Sequence, residues 1–187
     1  FTISEQAGGA TVSALAYGNP VSYTPADRAA KAFDGDPSTA WRVGAFDEPR
    51  GEFLQIDLDE PVTTGAISLQ QSQRQGNRWI TEVELSFDDG EPLTVALDEV
   101  SRGGAPGQTV TFDERTFSRL RVTITETNLP PMNRYVGVSD VGLAEVTIPG
   151  VAPVIELIRP PTDLLSAAGG DALRHPLTWV FTRRAAN

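Results

Sequence analysis

Short alternating segments that end in turn residues are the feature that most restricts the fold of this chain. Residues 79–87 alternate apolar and polar side chains with a period of two, and they run directly into Asp88-Asp89-Gly90. This period is typical of a β-strand with one buried face, and Asp-Gly is a frequent hairpin turn. Similar segments follow one another along the chain, at 53–58, 66–69, 92–97, 108–112, 117–125 and 142–148.

The direction of the side chains is predicted best for the segment at 117–125. Leu120, Val122 and Ile124 are expected to face the core, whereas Arg119 and Arg121 on the alternate positions are expected to face solvent. The break between the strands at 53–58 and 66–69 is expected at Asp59-Glu60-Pro61.

Helix signals are weak throughout the sequence. The 17 Gly and 14 Pro residues in 187 favour many turns and few long helices. One helix of two turns is predicted between Thr24, as its N-cap, and Phe33, with Pro25 in the first helical position. The predicted fold class is therefore all-β, an antiparallel sandwich or barrel.

The character of the chain changes after Pro149-Gly150. Residues 151–187 contain four Arg and three acidic residues, a net charge of +1. Because the net charge of the whole chain is −10, residues 1–150 have a net charge of −11. We predict a β-domain over 1–150 and a C-terminal extension over 151–187. The extension is either a packing strand or the start of a following β-domain, and the apolar run 177–181 favours the second alternative. The chain is expected to be part of a longer protein.

Composition excludes several functions. With no Cys in the chain, disulfides, Cys zinc sites and thiol catalysis are excluded. The acidic net charge argues against nucleic acid as a partner, since nucleic acid binds to basic surfaces. The one His, His175, has no Ser partner nearby in the sequence, and no pair of carboxylates is singled out for glycoside hydrolysis. No catalytic residues are predicted.

The segment 31–41, Lys-Ala-Phe-Asp-Gly-Asp-Pro-Ser-Thr-Ala-Trp, combines a tight Asp-Gly turn with many oxygen-bearing side chains. Carboxylate, hydroxyl and carbonyl oxygens are the ligands that Ca²⁺ prefers. The alternative is an Asx turn, in which the carboxylate accepts hydrogen bonds from its own backbone.

Together with Gly51-Glu52-Phe53-Leu54-Gln55-Ile56-Asp57-Leu58 and the late Val141-Gly142-Leu143-Ala144-Glu145-Val146, this segment resembles the discoidin, or F5/8 type C, family over residues 10–149. The resemblance implies an antiparallel jelly-roll β-sandwich of the galactose-binding-like kind, shared with carbohydrate-binding modules. It also implies a structural Ca²⁺ ion held by backbone carbonyls and side-chain oxygens of Lys31, Asp34, Asp36, Thr39, Ala144 and Glu145. Trp41 is expected in the core.

The resemblance also implies a ligand site on the loops at one end of the sandwich. Sugars have apolar C–H faces and fixed hydroxyls, so their sites usually combine an aromatic ring with polar side chains. The candidates of this kind are Arg42, Phe46, Asp47, Arg74, Asn77, Arg78, Trp79, Asn133 and Tyr135. Arg74 and Arg78 have a simpler alternative as solvated loop charges, and Trp79 as a core residue.

At finer scale, the runs 141–150 and 178–187 resemble soluble modules of the large membrane arabinofuranosyltransferases of mycobacteria and related actinobacteria. This resemblance implies a non-catalytic glycan-binding module in the extracytoplasmic cell envelope, tethered through a larger membrane protein. Its partner would be a cell-wall polysaccharide such as arabinan or galactan. A protein–protein docking module without a sugar site and a glycoside hydrolase on a jelly-roll scaffold are the alternatives.

Overall fold

Antiparallel strands form almost all of the regular structure in the computed structural model, which describes residues 3–22, 24–88, 90–131, 137–159, 166–171, 174–176 and 178. The strands of these residues are β1 (Ile3–Ala7), β2 (Ala10–Ala14), β3 (Trp41–Val43), β4 (Phe53–Gln71), β5 (Ile80–Phe87), β6 (Leu93–Ala96), β7 (Gln108–Thr127), β8 (Val141–Thr147) and β9 (Ile155–Arg159). Short 3₁₀ turns lie at Pro25–Asp27, Ala29–Ala32 and Glu99–Arg102.

Two long strands connect the layers of the sandwich. The main sheet has the order β3-β8-β4-β7-β5-β6, and β2 also pairs with β4. The first half of β4 pairs with β2 and its second half with β8, while β7 accompanies it on the other side along most of its length. Register shifts in the β4–β7 pairing lie between residues 57 and 66. The antiparallel strands pack around a single core, which confirms the all-β jelly-roll class.

The predicted break between two strands at Asp59-Glu60-Pro61 is wrong, because no strand ends there. The structure has one continuous strand, β4, in place of two, and β7 likewise joins the segments predicted at 108–112 and 117–125. β-bulges bend a strand without ending it, so the turn residues mark the change of layer and not the end of the strand.

The core contains the side chains that the period-two pattern assigned to it. Leu120, Val122 and Ile124 are fully buried, and Arg119 and Arg121 are exposed. Trp41 is also fully buried, as predicted, and its indole N–H donates to the carbonyl of Ala16 at 2.8 Å. A buried Trp requires such a partner for its N–H, so this contact fixes the N-terminal segment against β3.

The predicted helix at Thr24–Phe33 is wrong in type. Two separate 3₁₀ turns replace it, because Arg28 between them has an extended backbone with ψ of 161°. The Arg28 guanidinium contacts the carboxylate of Glu156 and the carbonyl of Pro25. Pro25 begins the first turn as expected, whereas the Thr24 side chain makes no capping hydrogen bond.

The beginning of the C-terminal extension returns to the N-terminal strand. β9 pairs with β1 in a separate two-stranded antiparallel sheet, in which Ile3 lies opposite Arg159. The apolar run 177–181 lies outside the described residues, apart from Thr178. None of the helices in the described part of the chain is long and apolar enough to cross a membrane.

Gly142 provides a test of the packing between β3 and β8. A Cβ at this position would lie 1.8 Å from the carbonyl oxygen of Trp41, so Gly142→Ala forces the two strands apart. We expect a loss of roughly 2 kcal/mol or more in the free energy of unfolding, measured by urea denaturation. Gly104→Ala is the matched control, because nothing lies within 4 Å of its Cβ. Equal stability of the two variants would contradict this view of the β3–β8 contact.

Candidate functional site

Several oxygen atoms converge on the hydroxyl of Thr39. Its Oγ1 lies 3.2 Å from the carbonyl oxygen of Lys31, 3.1 Å from that of Asp36, and 3.0 Å from each carboxylate oxygen of Asp34. A hydroxyl has only one proton to donate, so it cannot satisfy all four acceptors. Oxygen atoms about 3 Å apart are the spacing expected around a cation with Ca–O distances of about 2.4 Å.

The turn at residues 34–38 holds this cluster in place. Asp34 Oδ1 accepts from the backbone N–H of Asp36 at 3.1 Å, and Gly35 has a positive φ of 74°. The carboxylate of Asp36 instead accepts from the backbone N–H and the hydroxyl of Ser38, and these hydrogen bonds lower its pKa. Asp34 and Asp36 therefore both form Asx turns, and Asp34 also contacts the Thr39 hydroxyl and the Lys31 ammonium, which lies 2.8 Å from its Oδ2.

Glu145 on β8 brings a second carboxylate to the same place. Its Oε2 is buried and has no hydrogen-bond partner in the described structure. Burial, followed by the negative charges of Asp34 and Asp36, raises its pKa to about 7, and a hydrogen bond from the backbone of Gly35 opposes this shift. A buried acceptor without a partner is costly, so the site lacks a positive charge or a donor at this point.

Ala144 lies at an irregularity of β8. Glu145 is opposite Gln70 in β4, but the next pair along the strands joins Leu143 to Gln71, so Ala144 is skipped. Ala144 also has no partner in the β3–β8 register. The extra residue of a bulge is left out of the pairing register of its strand.

Of the residues predicted to hold Ca²⁺, the structure thus brings together Lys31, Asp34, Asp36, Thr39 and Glu145. No group of three or more His, Cys, Asp or Glu side chains arranged for a metal ion occurs in the described ranges. A cation site here must therefore combine two carboxylates with carbonyl and hydroxyl oxygens, a set that suits a hard cation such as Ca²⁺.

A separate polar cavity of about 190 Å³ lies where β4 ends and β8 begins. We call it the loop-end cavity, and it is lined by Gln71, Ser72, Gln73, Arg74, Gln75, Gly76, Arg78, Trp79, Arg102, Asp140, Val141 and Gly142. The Arg102 guanidinium lies 4.5 Å from the centre of the Trp79 ring, which is partly buried. Arg74, more than half exposed, pairs with Asp140 at 2.8 Å. The cavity therefore offers an aromatic ring next to several hydrogen-bonding groups.

The remaining glycan candidates mostly have structural partners. Arg78 is buried, and not a solvated loop charge, because its guanidinium donates to the carbonyls of Gly44, Asp47 and Ser139. Burial also lowers its pKa. Asn77 donates to the carbonyl of Gly137.

Arg42 donates to the hydroxyl of Ser72, which lines the loop-end cavity, and pairs with the buried Asp27 at 2.8 Å. Arg42 itself does not line the cavity. Phe46 and Asp47 lie exposed on the loop after β3. Asn133 and Tyr135 are outside the described residues.

The sequence did not single out Arg102 or Asp140 for the loop-end cavity. Each lies far from Trp79 and Arg74 in the sequence, and no local motif connects them. Arg102 is the last residue of the 3₁₀ turn Glu99–Arg102, and only the packing of this turn against β4 places it over Trp79.

Comparison with known families agrees with the fold. The family model of the F5/8 type C domain matches residues 11–136. This match covers more than half of the chain, which therefore belongs to the F5/8 type C domain family.

Two curated relatives are α-(1→3)-arabinofuranosyltransferases. The protein of Mycobacterium tuberculosis is 33% identical over 167 residues, and the match covers 72% of this chain and 12% of the relative. The protein of Mycolicibacterium smegmatis is 34% identical over 83 residues, or 39% of this chain and 6% of the relative. The chain thus corresponds to a portion of these larger enzymes, as a non-catalytic domain.

Solved structures share the fold. The arabinofuranosyltransferase AftD from mycobacteria superimposes with a TM-score of 0.63 at 20% identity, covering 86% of this chain and 12% of that one. The family 32 carbohydrate-binding module of NanJ from C. perfringens, solved with galactose, superimposes with a TM-score of 0.50 at 20% identity, covering 80% of this chain and 99% of the module. These likenesses confirm the β-sandwich.

The raised pKa of Glu145 predicts how stability changes with pH when no metal is present. The folded state holds this proton more tightly than the unfolded chain does, so the contribution is complete below the ordinary pKa of 4.5 and is lost as pH rises through about 7. In EDTA, we expect a higher melting temperature at about pH 5 than at about pH 8.

Glu145→Gln should reduce this difference between the two pH values, because glutamine does not titrate. Thermal melts of both proteins in EDTA make the measurement. An unchanged pH dependence in the variant would show that other groups cause it.

Proposed function

We propose that this domain binds a cell-wall polysaccharide such as arabinan or galactan in the loop-end cavity, without catalysing a reaction. The observation that carries the proposal is the partly buried Trp79 ring beneath the Arg102 guanidinium, next to the Arg74–Asp140 pair. The guanidinium covers one face of the ring, so the part of the ring that stays exposed would contact the apolar side of a sugar, and Arg and Asp side chains can bond to its hydroxyls.

The charges in the cavity argue against hydrolysis. Asp140 is the one acidic residue among the described residues that line the cavity, and Arg74 pairs with it. Glycosidases typically need two carboxyl groups on opposite sides of the scissile bond. A binding role requires no such pair.

We also propose that the oxygen cluster holds a structural Ca²⁺ ion. Asp34 and Glu145 would balance its charge, and the carbonyls of Lys31, Asp36 and Ala144 with Thr39 would complete the shell. The support is the unpartnered Oε2 of Glu145 together with the four acceptors around one hydroxyl. Such an ion links the turn after the second 3₁₀ turn to β8 and so closes a loop of roughly a hundred residues, which restricts the unfolded chain.

The arabinofuranosyltransferase relatives support a role for this domain within a larger protein. Because they are arabinofuranosyltransferases and the chain matches 12% of the length of one of them, we propose that the domain serves an enzyme that builds arabinan. In this arrangement the transferase chemistry lies outside the domain. The domain would hold the polysaccharide on the extracytoplasmic side of the cell envelope, tethered through the rest of a membrane protein.

Replacing Trp79 or Arg102 in the loop-end cavity tests glycan binding. We expect Trp79→Ala to weaken binding of an arabinan fragment by at least tenfold, because roughly 1.5–3 kcal/mol is lost with the apolar surface of the ring. Arg102→Ala should weaken binding too. Isothermal titration calorimetry on the 187-residue chain makes the measurement.

Arg115→Ala is the matched control for these variants, because Arg115 also lies over aromatic rings, those of Phe87 and Phe112, away from the cavity. It should bind glycan as the parent chain does. Failure of the parent chain to bind arabinan, galactan or any other glycan on an array, together with capture of a defined protein partner, would replace glycan binding with docking.

Calcium is tested by thermal melting with Ca²⁺ and with EDTA. We expect Ca²⁺ to raise the melting temperature of the parent chain, because an ion that binds only the folded state stabilises it. Asp34→Asn should abolish this increase. Asp113→Asn removes the same charge at an exposed position of β7 and should keep it. Equal melting temperatures of the parent chain in Ca²⁺ and EDTA would disprove the site.

A further inference from the structure

A second cavity, of about 240 Å³, lies apart from the loop-end cavity. Its residues come from the turn at 33–37, the turn at 103–107, the C-terminal end of β8 and the segment 148–153. Pro37, Pro106 and Pro153 are exposed at its rim, so the cavity opens to the surface. We call it the proline-rimmed cavity.

Gln70 and Glu145 are the hydrogen-bonding side chains of this cavity that face each other across the β4–β8 pair. They are opposite each other in the register and therefore point to the same face of the sheet. Gln70 is 2% exposed, and its Oε1 has no hydrogen-bond partner in the described part of the chain. Its Nε2 donates to the carbonyl of Gly103 at 3.3 Å. A buried amide oxygen without a partner is rare and indicates a missing donor.

The residues that line the cavity indicate which kind of ligand would supply the missing hydrogen-bond donor. The unpartnered polar atoms of the lining, Gln70 Oε1 and Glu145 Oε2, are both acceptors, so the ligand must supply the hydrogens. Proline rings, Val151, Ile148 and the other apolar groups form the walls, so the ligand must also have an apolar face. A cavity of ~150 Å³ holds benzene, so this one has room for a single ring with substituents. A sugar ring combines hydroxyl donors, an apolar face and this size.

We propose that the proline-rimmed cavity is a second glycan subsite that receives one sugar ring, with Gln70 Oε1 accepting from a ring hydroxyl. Among the described residues, the proline-rimmed cavity and the loop-end cavity have no lining residue in common, and Trp79 lines only the second. The proposal therefore stands whether or not the loop-end cavity binds glycan. Glu145 also belongs to the oxygen cluster, so the argument rests on Gln70 and on the apolar walls. Two subsites on one domain allow two points of a branched or long polysaccharide to be held together.

The side-chain amide of Gln70 reports on the subsite directly. In calcium-containing buffer, the ¹⁵N-labelled 187-residue chain is titrated with methyl α-D-arabinofuranoside and, separately, with methyl β-D-galactopyranoside. We expect one of them to shift the Gln70 side-chain NH₂ resonances and the backbone amide of Gly107, which packs against Gln70. Trp79→Ala should leave these shifts unchanged, which separates this subsite from the loop-end cavity.

Gln70→Leu keeps the size of the side chain and removes the acceptor. Gly103 keeps a donor, Gln73 Nε2 at 2.8 Å, so the variant leaves no new unpaired carbonyl. We therefore expect a melting temperature equal to or above that of the parent chain, together with at least a tenfold loss in affinity measured from the Gly107 shift. Gln55→Leu, on the outer face of β4, is the matched control and should bind the sugar normally.

Each other result overturns the proposal. If neither glycoside shifts the Gln70 resonances, or if a crystal soaked with them shows a water on Oε1 and no sugar, Gln70 Oε1 is satisfied by water alone. If Gln70→Leu binds as the parent chain does, the acceptor is not used. If Gln70→Leu melts well below the parent chain, its role is structural. Shifts that disappear in Trp79→Ala would mean a single site at the loop end.

Discussion

The antiparallel pairing of β8 between β3 and β4 is the constraint on which the rest of this structure depends. Gly142 admits the close approach of β3, and Leu143 is fully buried in the core. The skipped residue Ala144 then shifts the register by one position. A shift of one residue moves every later side chain to the opposite face, so this bulge decides that Glu145 faces Asp34 and Gln70.

Burying Glu145 in this position has an electrostatic cost, because its Oε2 has no hydrogen-bond partner among the described residues. The carboxylate faces Asp34 and Asp36, and the Lys31 ammonium pairs with Asp34 at 2.8 Å. Burial raises its pKa to about 7, so near neutral pH the site is either partly protonated or in need of a cation. The pairing of strands thus brings together carboxylates that are more than a hundred positions apart in the sequence.

Hydrogen bonds of Arg78 and Arg42 hold together the loops around the loop-end cavity. Arg78 fastens the loop after β3 to the loop before β8 through backbone carbonyls, and Arg42 is neutralised by the buried Asp27. Charged groups that are fully bonded in this way are held in fixed positions. Arg74 and Arg102, which are more exposed than Arg78, border the cavity together with Trp79. Binding without chemistry needs such a preorganised surface and little else.

Local signals carried much of the prediction. The period-two pattern identified the buried positions Leu120, Val122 and Ile124 of β7, and the 31–41 segment identified Asp34 and Thr39, whose contacts lie within a few residues. Where interactions are local, composition and spacing determine them. The predicted helix was wrong because tertiary contacts of Arg28 with Glu156 outweigh a weak helix propensity.

The sequence by itself therefore determined the all-β class, the core positions and the local oxygen-rich turn, since these depend on periodicity and on residues that are neighbours along the chain. Only the tertiary structure decided that β4 and β7 are continuous strands, that Arg102 lies over Trp79, and that Gln70 faces a cavity with an unpartnered acceptor. Each of these depends on strand register or loop packing. A change of one residue in register reverses the face, and no local pattern records it.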